Sequence, residues 1–258
     1  VRSCWQESLG PTILVRPMSS DFEEIDYQDT PLGPLILRRR RMRSLDDLEV
    51  YEIILGTGYL MSSLFTTVEI ALADLALDLL KEKPGALSVA VGGLGLGYTA
   101  QAALRDSRVS QLLVVEALPA VIGWHRQKLV PLGKEITTDP RCRLVEGDFF
   151  SLAEGDGFDP GKPGRCFDAI LLDIDHSPRN LIHERHRNFY SLSGLRKLRS
   201  FLNPGGIFAM WSDDPPDHDF ENLLQVVFPS TQSRVVTFPN PLQGTESRST
   251  VYLSQCGD

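Results

Sequence analysis

The rhythm of apolar and polar positions changes along this chain and divides it in two. Short apolar runs separated by turns come first. Leu35-Ile-Leu37 follows the turn Thr30-Pro-Leu-Gly33, and Val50-Tyr-Glu-Ile-Ile-Leu55 is closed by Gly56-Thr-Gly58. With Ile13-Leu-Val15 upstream, these runs predict a small β-hairpin module over residues 1–62. The period then lengthens. Phe65, Val68, Leu72, Leu75, Ala76 and Leu79 recur at helical spacing up to Leu80, ahead of Pro84-Gly85. Residues 63–258 are expected to form the main domain. Its apolar runs alternate with helical stretches: strand 87–91, helix 98–105, strand 112–116, helix 119–130, strands 143–145 and 167–173, helix 188–201 and strand 207–211. That alternation predicts an α/β fold with a mostly parallel sheet covered on both faces. Arg234 to Phe238 and Ser249 to Leu253 are joined by a stretch too short for a crossover helix, so they should pair antiparallel.

The strand ends carry the chemistry. Val89-Ala-Val91 runs into Gly92, Gly93, Gly95 and Gly97, and a helix follows. Strand, glycine turn and helix in that order suit close approach of the backbone to a nucleoside. Leu112-Leu-Val-Val-Glu116 is a second buried strand ending in an acid, placed about 20 residues after the glycines as a ribose-binding carboxylate would be. Asp148 ends the third strand and is suited to an exocyclic amine such as adenine N6, with the Phe149 backbone beside it. Asp173 ends the fourth, where a carboxylate can hold an attacking amine and take its proton. Asp175 and His176 are further candidates for that role. Each acid alone could be a helix cap or a solvated turn residue, and Asp213-Asp214 before Pro215-Pro216 reads best as a turn. The joint pattern is what points to a site. His183, Glu184 and His186 lack the spacing of a recognised ligand set, so no metal is expected.

Composition narrows the classes. The chain has 258 residues, a net charge of −8 and 42% apolar residues, enough for a substantial core. The acidic balance disfavours a nucleic-acid surface. The basic run Arg38 to Arg43, interrupted by Met42, reads as a solvated strand end or loop rather than a polyanion site. No apolar run is long enough for a membrane span, since Glu69, Asp74 and Asp78 punctuate the best one. Cys4, Cys142, Cys166 and Cys256 form no C-x-x-C pair, and neither a signal peptide nor an initiator Met opens the chain. A cytoplasmic protein is the expectation.

Together these residues resemble the spermidine synthase family, within the S-adenosylmethionine-dependent transferases of Rossmann-like fold. The resemblance rests on Val91-Gly-Gly-Leu-Gly-Leu-Gly97, Val114-Val-Glu116, Asp139-Pro-Arg141 before Val145-Glu-Gly-Asp148, Phe167-Asp-Ala-Ile-Leu-Leu-Asp173, Ser177-Pro178, Phe189-Tyr190 and Leu202-Asn-Pro-Gly-Gly206. It implies a Rossmann-like methyltransferase fold preceded by a β-hairpin module. It also implies a ligand of the S-adenosylmethionine type on Glu116 and Asp148, Asp173 as catalytic aspartate, and a homodimer. The chain also departs from the family. Its glycine loop reads Gly-Gly-Leu-Gly-Leu-Gly, without the acid that pairs with the bare amine of decarboxylated S-adenosylmethionine. On the substrate helix only Glu69 of the family's polyamine residues is present, and the catalytic segment reads Asp173-Ile-Asp-His-Ser-Pro178.

The first reading is therefore an S-adenosylmethionine-dependent methyltransferase acting on a small amine or hydroxyl acceptor. The alternative is an aminopropyltransferase of polyamine biosynthesis, using decarboxylated S-adenosylmethionine, with Glu69, Asp173 and Asp175 binding the acceptor amines. A non-catalytic nucleoside-binding module is a third reading, and an NAD-dependent enzyme a distant fourth.

Overall fold

The computed structural model of the chain describes residues 21–257; the strand expected at Ile13–Val15, together with Cys4, lies outside the described residues. Two sheets make up the architecture. The first is an antiparallel meander of β1 (Phe22–Thr30), β2 (Gly33–Met42), β3 (Leu48–Leu55) and β4 (Gly58–Ser62), paired in that order. Two of these strands were legible as apolar runs. β1 was not, because Phe-Glu-Glu-Ile-Asp-Tyr-Gln-Asp-Thr is acidic and mostly exposed. The basic run explains why it forms. Arg38, Arg39, Arg40 and Arg41 lie inside β2 rather than at a loose end. Arg39 pairs with Glu23 of β1 at 2.5 Å and Glu49 of β3 at 3.2 Å, while Arg38 and Arg40 both pair with the buried Glu52 at 2.6 and 2.9 Å. Opposite charges set directly across neighbouring strands favour this register.

Helix α1 (Thr67–Asp78) leads into the second sheet, which contains β5 (Leu87–Gly92), β6 (Val109–Glu116), β7 (Cys142–Glu146), β8 (Phe167–Leu172), β9 (Leu202–Ser212), β10 (Ser230–Asn240) and β11 (Thr245–Gln255). The spatial order is β10-β11-β9-β8-β5-β6-β7. β9, β8, β5, β6 and β7 pair in parallel; β11 runs antiparallel to both β9 and β10, as the short connection between the last two strands required. Helices α2 (Tyr98–Arg105), α3 (Pro119–Arg126), α4 (Gly133–Thr138), α5 (Phe149–Glu154), α6 (Leu192–Arg199) and α7 (His218–Val227) complete the fold.

Alternate side chains of each central strand enter opposite cores, as the two-residue period of a strand demands. Leu112, Val114, Ala169 and Leu171 join the core that also holds α1 to α4 and Leu35, Leu37 and Ile53 of the first sheet. Leu113, Val115, Ile170 and Leu172 join the core of Phe149, Phe158, Phe189, Leu195 and Phe208. At the amino ends of the strands, two Asp-x-Arg segments act alike. Arg108 chelates Asp106 and donates to the Leu77 and Leu80 carbonyls at the end of α1. Arg141 chelates Asp139 and donates to the carbonyls of Leu104, near the end of α2, and Val109. A guanidinium at a helix C-terminus satisfies carbonyls that have no partner within the helix and opposes the negative end of its dipole.

Candidate active site

The glycines after β5 hold their loop against three neighbours. A Cβ on Gly92 would lie 2.5 Å from the Phe149 ring. At Gly93, φ is +94° and a Cβ would run into the Asp173 carbonyl; at Gly97, φ is +95° as the chain turns into α2. The loop is therefore pressed against the end of β8 and cannot carry side chains at these points. Gly95 lies under Met61 of β4, whose Sδ is 3.0 Å from Leu96 N, so the first sheet reaches the loop.

Glu116, at the end of β6, is buried and accepts from Leu94 N at 2.9 Å and Leu118 N at 2.8 Å. Burial raises its pKa, and those two amides pull the other way. The amides of Gly95 and Ala117 also act on the carboxylate, so the group braces the loop on several sides. Asp148 caps α5, accepting from Phe150 N at 3.0 Å and from Ser151 Oγ at 3.0 Å. Phe149 is buried under Gly92, stacked on Phe158 with ring centres 4.5 Å apart. Thus Gly92, Gly93, Gly95, Gly97, Glu116, Asp148 and Phe149 line the carboxyl edge of β5, β6 and β7.

The acid–base half is assembled from more distant segments. Glu69 of α1 lies close enough to Asp173, after β8, for the Asp173 charge to oppose its ionisation. Burial, and then the Asp173 charge, push Glu69 up to about 8. Burial pushes Asp173 up to about 6, against the hydrogen bond from Thr99 Oγ1 at 2.6 Å. Tyr98 stands beside Glu69, with Ser63 as hydrogen-bond partner. Glu69 opens on a cavity of about 300 Å³ whose other walls include Phe65, Trp211, Asp213, Phe238 and Asn240. Asp213, read from sequence as a turn residue, is therefore a cavity wall, and Ser249 Oγ approaches it at 3.5 Å.

Asp175 has a different occupation. Its carboxylate accepts from Ile182 N at 2.8 Å, His186 Nδ1 at 2.8 Å and Tyr190 Oη at 2.9 Å, and it is almost wholly buried. These contacts anchor the segment after β8 to the second core and leave no face for an acceptor amine. His186 stacks on Phe150 with ring centres 3.7 Å apart, and His183 Nδ1 takes the Arg185 amide, which accounts for both histidines structurally. The His176 ring stands edge-on to Trp211, and its carbonyl accepts from Asp213 N at 2.7 Å. Sequence reasoning passed over Tyr98, Thr99, Trp211 and Asp213 as site residues. Only the first pair had a local signal, as the residues directly after the glycine loop.

No family model matches the chain. Among curated proteins, the polyamine aminopropyltransferase of Mycobacterium tuberculosis strain H37Rv is 30% identical over 132 residues, covering 51% of this chain and 24% of that protein. Its counterpart in Mycobacterium bovis matches equally, so the similarity spans about a quarter of these relatives' length. Among solved structures, spermidine synthase from Thermotoga maritima superposes with a TM-score of 0.68 at 17% identity, covering 91% of this chain and 73% of that one. Human methyltransferase-like protein 13 in complex with SAH superposes with a TM-score of 0.53 at 22% identity, covering 74% and 82%. The fold is that of the S-adenosylmethionine-dependent transferases, a Rossmann-like sheet with an added antiparallel strand pair. The architecture, with a four-stranded antiparallel sheet ahead of the mostly parallel one, is similar to that of spermidine synthase.

Proposed function

We propose that the chain is a transferase that moves an aminopropyl group from decarboxylated S-adenosylmethionine to an amine acceptor. The observation that carries this reading is the Glu69–Asp173 pair, two half-buried carboxylates of raised pKa, of which Glu69 lines the cavity. Two like charges held together in a partly enclosed place invite a cation. The names of the curated relatives, and of a spermidine synthase solved with the transition state analogue AdoDATO (TM-score 0.68, 17% identity), favour aminopropyl over methyl transfer.

The residues fit a nucleoside donor. Glu116 would hold its ribose, the Gly92–Gly97 loop its approach, and Asp148 its adenine. When bound, the donor supplies an electrophilic carbon on a sulfonium; the acceptor nitrogen forms the new C–N bond to it, and the C–S electron pair passes to sulfur. The acceptor amine arrives protonated and has no lone pair to use. Asp173, whose pKa lies near 6, is suited to take that proton, since a base works best with a pKa near the working pH. Glu69 neutralises charge on the acceptor and holds it against Asp173, and after transfer the new secondary ammonium remains opposite the pair. Positioning supplies most of the remaining acceleration.

A methyl transfer from S-adenosylmethionine itself is the second reading, favoured by one feature. Leu94 and Leu96 are buried in the loop where the resembling family has an acid, so no loop carboxylate opposes a donor that keeps its own. Calorimetric binding of both donors, with methylthioadenosine as control, followed by turnover with short diamines, decides. Preference for the decarboxylated donor and transfer to a diamine support the proposal. Preference for S-adenosylmethionine with transfer of a methyl group overturns it in favour of the second reading. Binding of neither donor defeats both.

A further inference from the structure

Helix α2 begins where the glycine loop ends, and its second residue reaches into the carboxylate pair. Thr99 is buried, with Oγ1 at 2.6 Å from Asp173 Oδ2 and 3.3 Å from the Glu69 backbone carbonyl. A hydroxyl has one hydrogen to give. The contact to Asp173 has the length of a charge-assisted O–H···O⁻ bond, while the contact to the carbonyl is long, so the hydrogen goes to the carboxylate. Among the described residues, Thr99 is the one side chain that hydrogen-bonds Asp173. The donor loop is tied to the same residue through the backbone: Asp173 N donates to the Gly92 carbonyl at 2.8 Å.

We propose that Thr99 is a positioning residue for the catalytic aspartate, holding its carboxylate in the ionised form and in register with the donor loop. The inference rests on the transferase reading for its consequence in turnover, though not for its effect on titration. The other titratable groups around the pair are Glu69 from α1 and Tyr98 from α2, with Asp213 across the cavity and His176 beyond it. All are unchanged by substitution at Thr99, so a shift in Asp173 reports the lost hydroxyl. A threonine that merely filled space would be replaced by the isosteric valine without effect on titration.

The test is a carbon-13 titration of the aspartate carboxyls in the wild type, Thr99→Val and Thr99→Ser, with Asp173→Asn to assign the signal. In Thr99→Val the Asp173 midpoint should rise by about one pH unit, the worth of one hydrogen bond to a charged group. Thr99→Ser should keep the wild-type midpoint. In turnover the acid limb of kcat/KM should move upward with it, giving about tenfold lower activity below the limb at an unchanged KM for the donor. An Asp173 midpoint unaltered in Thr99→Val, or a Thr99→Ser midpoint that follows valine, overturns the inference. If Thr99→Val does not fold, Thr99→Ala against Thr99→Ser gives the same comparison. If no donor supports transfer, the functional reading fails while the titration still decides the role of Thr99.

Discussion

Glu116, buried at the end of β6, and Glu69, half-buried in the first turn of α1, live in opposite surroundings. Glu116 has amide hydrogens for neighbours: Leu94 N and Leu118 N each donate to one of its oxygens. Glu69 has another carboxylate, Asp173, for a neighbour. The first arrangement is complete in itself, because the glutamate braces the glycine loop through its amides. The second is unfinished. It holds two groups whose charges oppose each other, and it is relieved by a proton or by a cation from outside. On the proposed function, one half of the site would serve placement and the other proton chemistry.

The change that should break this contrast most deeply is Asp173→Asn. It removes the base and should lower transfer by roughly 10²–10⁴-fold while calorimetry finds donor binding intact. A parallel loss of donor affinity would show that the two halves are not separable. Next in size is Glu116→Gln. The substituted amide would set a donor against Leu94 N or Leu118 N, costing about 1–3 kcal/mol of stability in urea unfolding, with a fall in donor affinity of about one to two orders of magnitude. Unchanged donor affinity would mean that Glu116 is only a brace.

Glu69→Gln should act through pH. The folded pKa of Glu69 is raised to about 8 from an ordinary 4.5, so the stability of the neutral form is fully present below pH 4.5 and is lost as pH rises through 8. The Tm of Glu69→Gln should therefore match the wild type near pH 4 and exceed it by several degrees at pH 8, on the order of 1–3 kcal/mol. A bound diamine should shrink that difference. A Tm gap independent of pH would contradict the coupled pair. The smallest effect belongs to Asp148→Ser, which keeps a capping oxygen for α5 and should change stability by less than about 1 kcal/mol. If Asp148 also takes the adenine amine, donor affinity drops by about tenfold. If affinity holds, Asp148 is a cap alone.

The same contrast decides what could be read from the sequence. The placement half is local: glycines, the acid ending β6 and the acid ending β7 follow their strands at fixed offsets, so strand–turn–helix reasoning found them. The buried apolar runs of β6 and β8 and the antiparallel C-terminal pair were legible for the same reason. The cavity was not. Phe238 and Asn240 on β10, Trp211 and Asp213 at the end of β9, and Phe65 before α1 meet only through tertiary packing. Asp175 misled because its type and position match those of a substrate-binding acid; only His186 and Tyr190, more than ten residues downstream, reveal its internal role. Helix α7 did carry a signal that sequence reasoning overlooked, with Asp217 as cap and Phe220, Leu224 and Val227 at helical spacing. Strand β1 was missed because its residues are largely polar and exposed, and its formation depends on partners rather than on periodicity. For β1 those partners are the arginines of β2, which turned a basic run that reads as loop into the middle of a sheet.

The Asp-x-Arg pairs before β6 and β7 lie at the edge of the sheet away from the ligand. Arg108 fastens the start of β6 to the end of α1, and Arg141 fastens the start of β7 to α2 and to Val109 of β6, both with bonds to main-chain oxygen. At the opposite edge the glycine loop is tied as well, Gly93 N to the Val115 carbonyl, Leu94 N to Glu116 and Gly97 N to the Leu94 carbonyl. The sheet is thus clamped at both margins, like a canvas held in a frame, and the amides of Gly93, Leu94 and Gly97 should exchange with solvent slowly even before a ligand arrives.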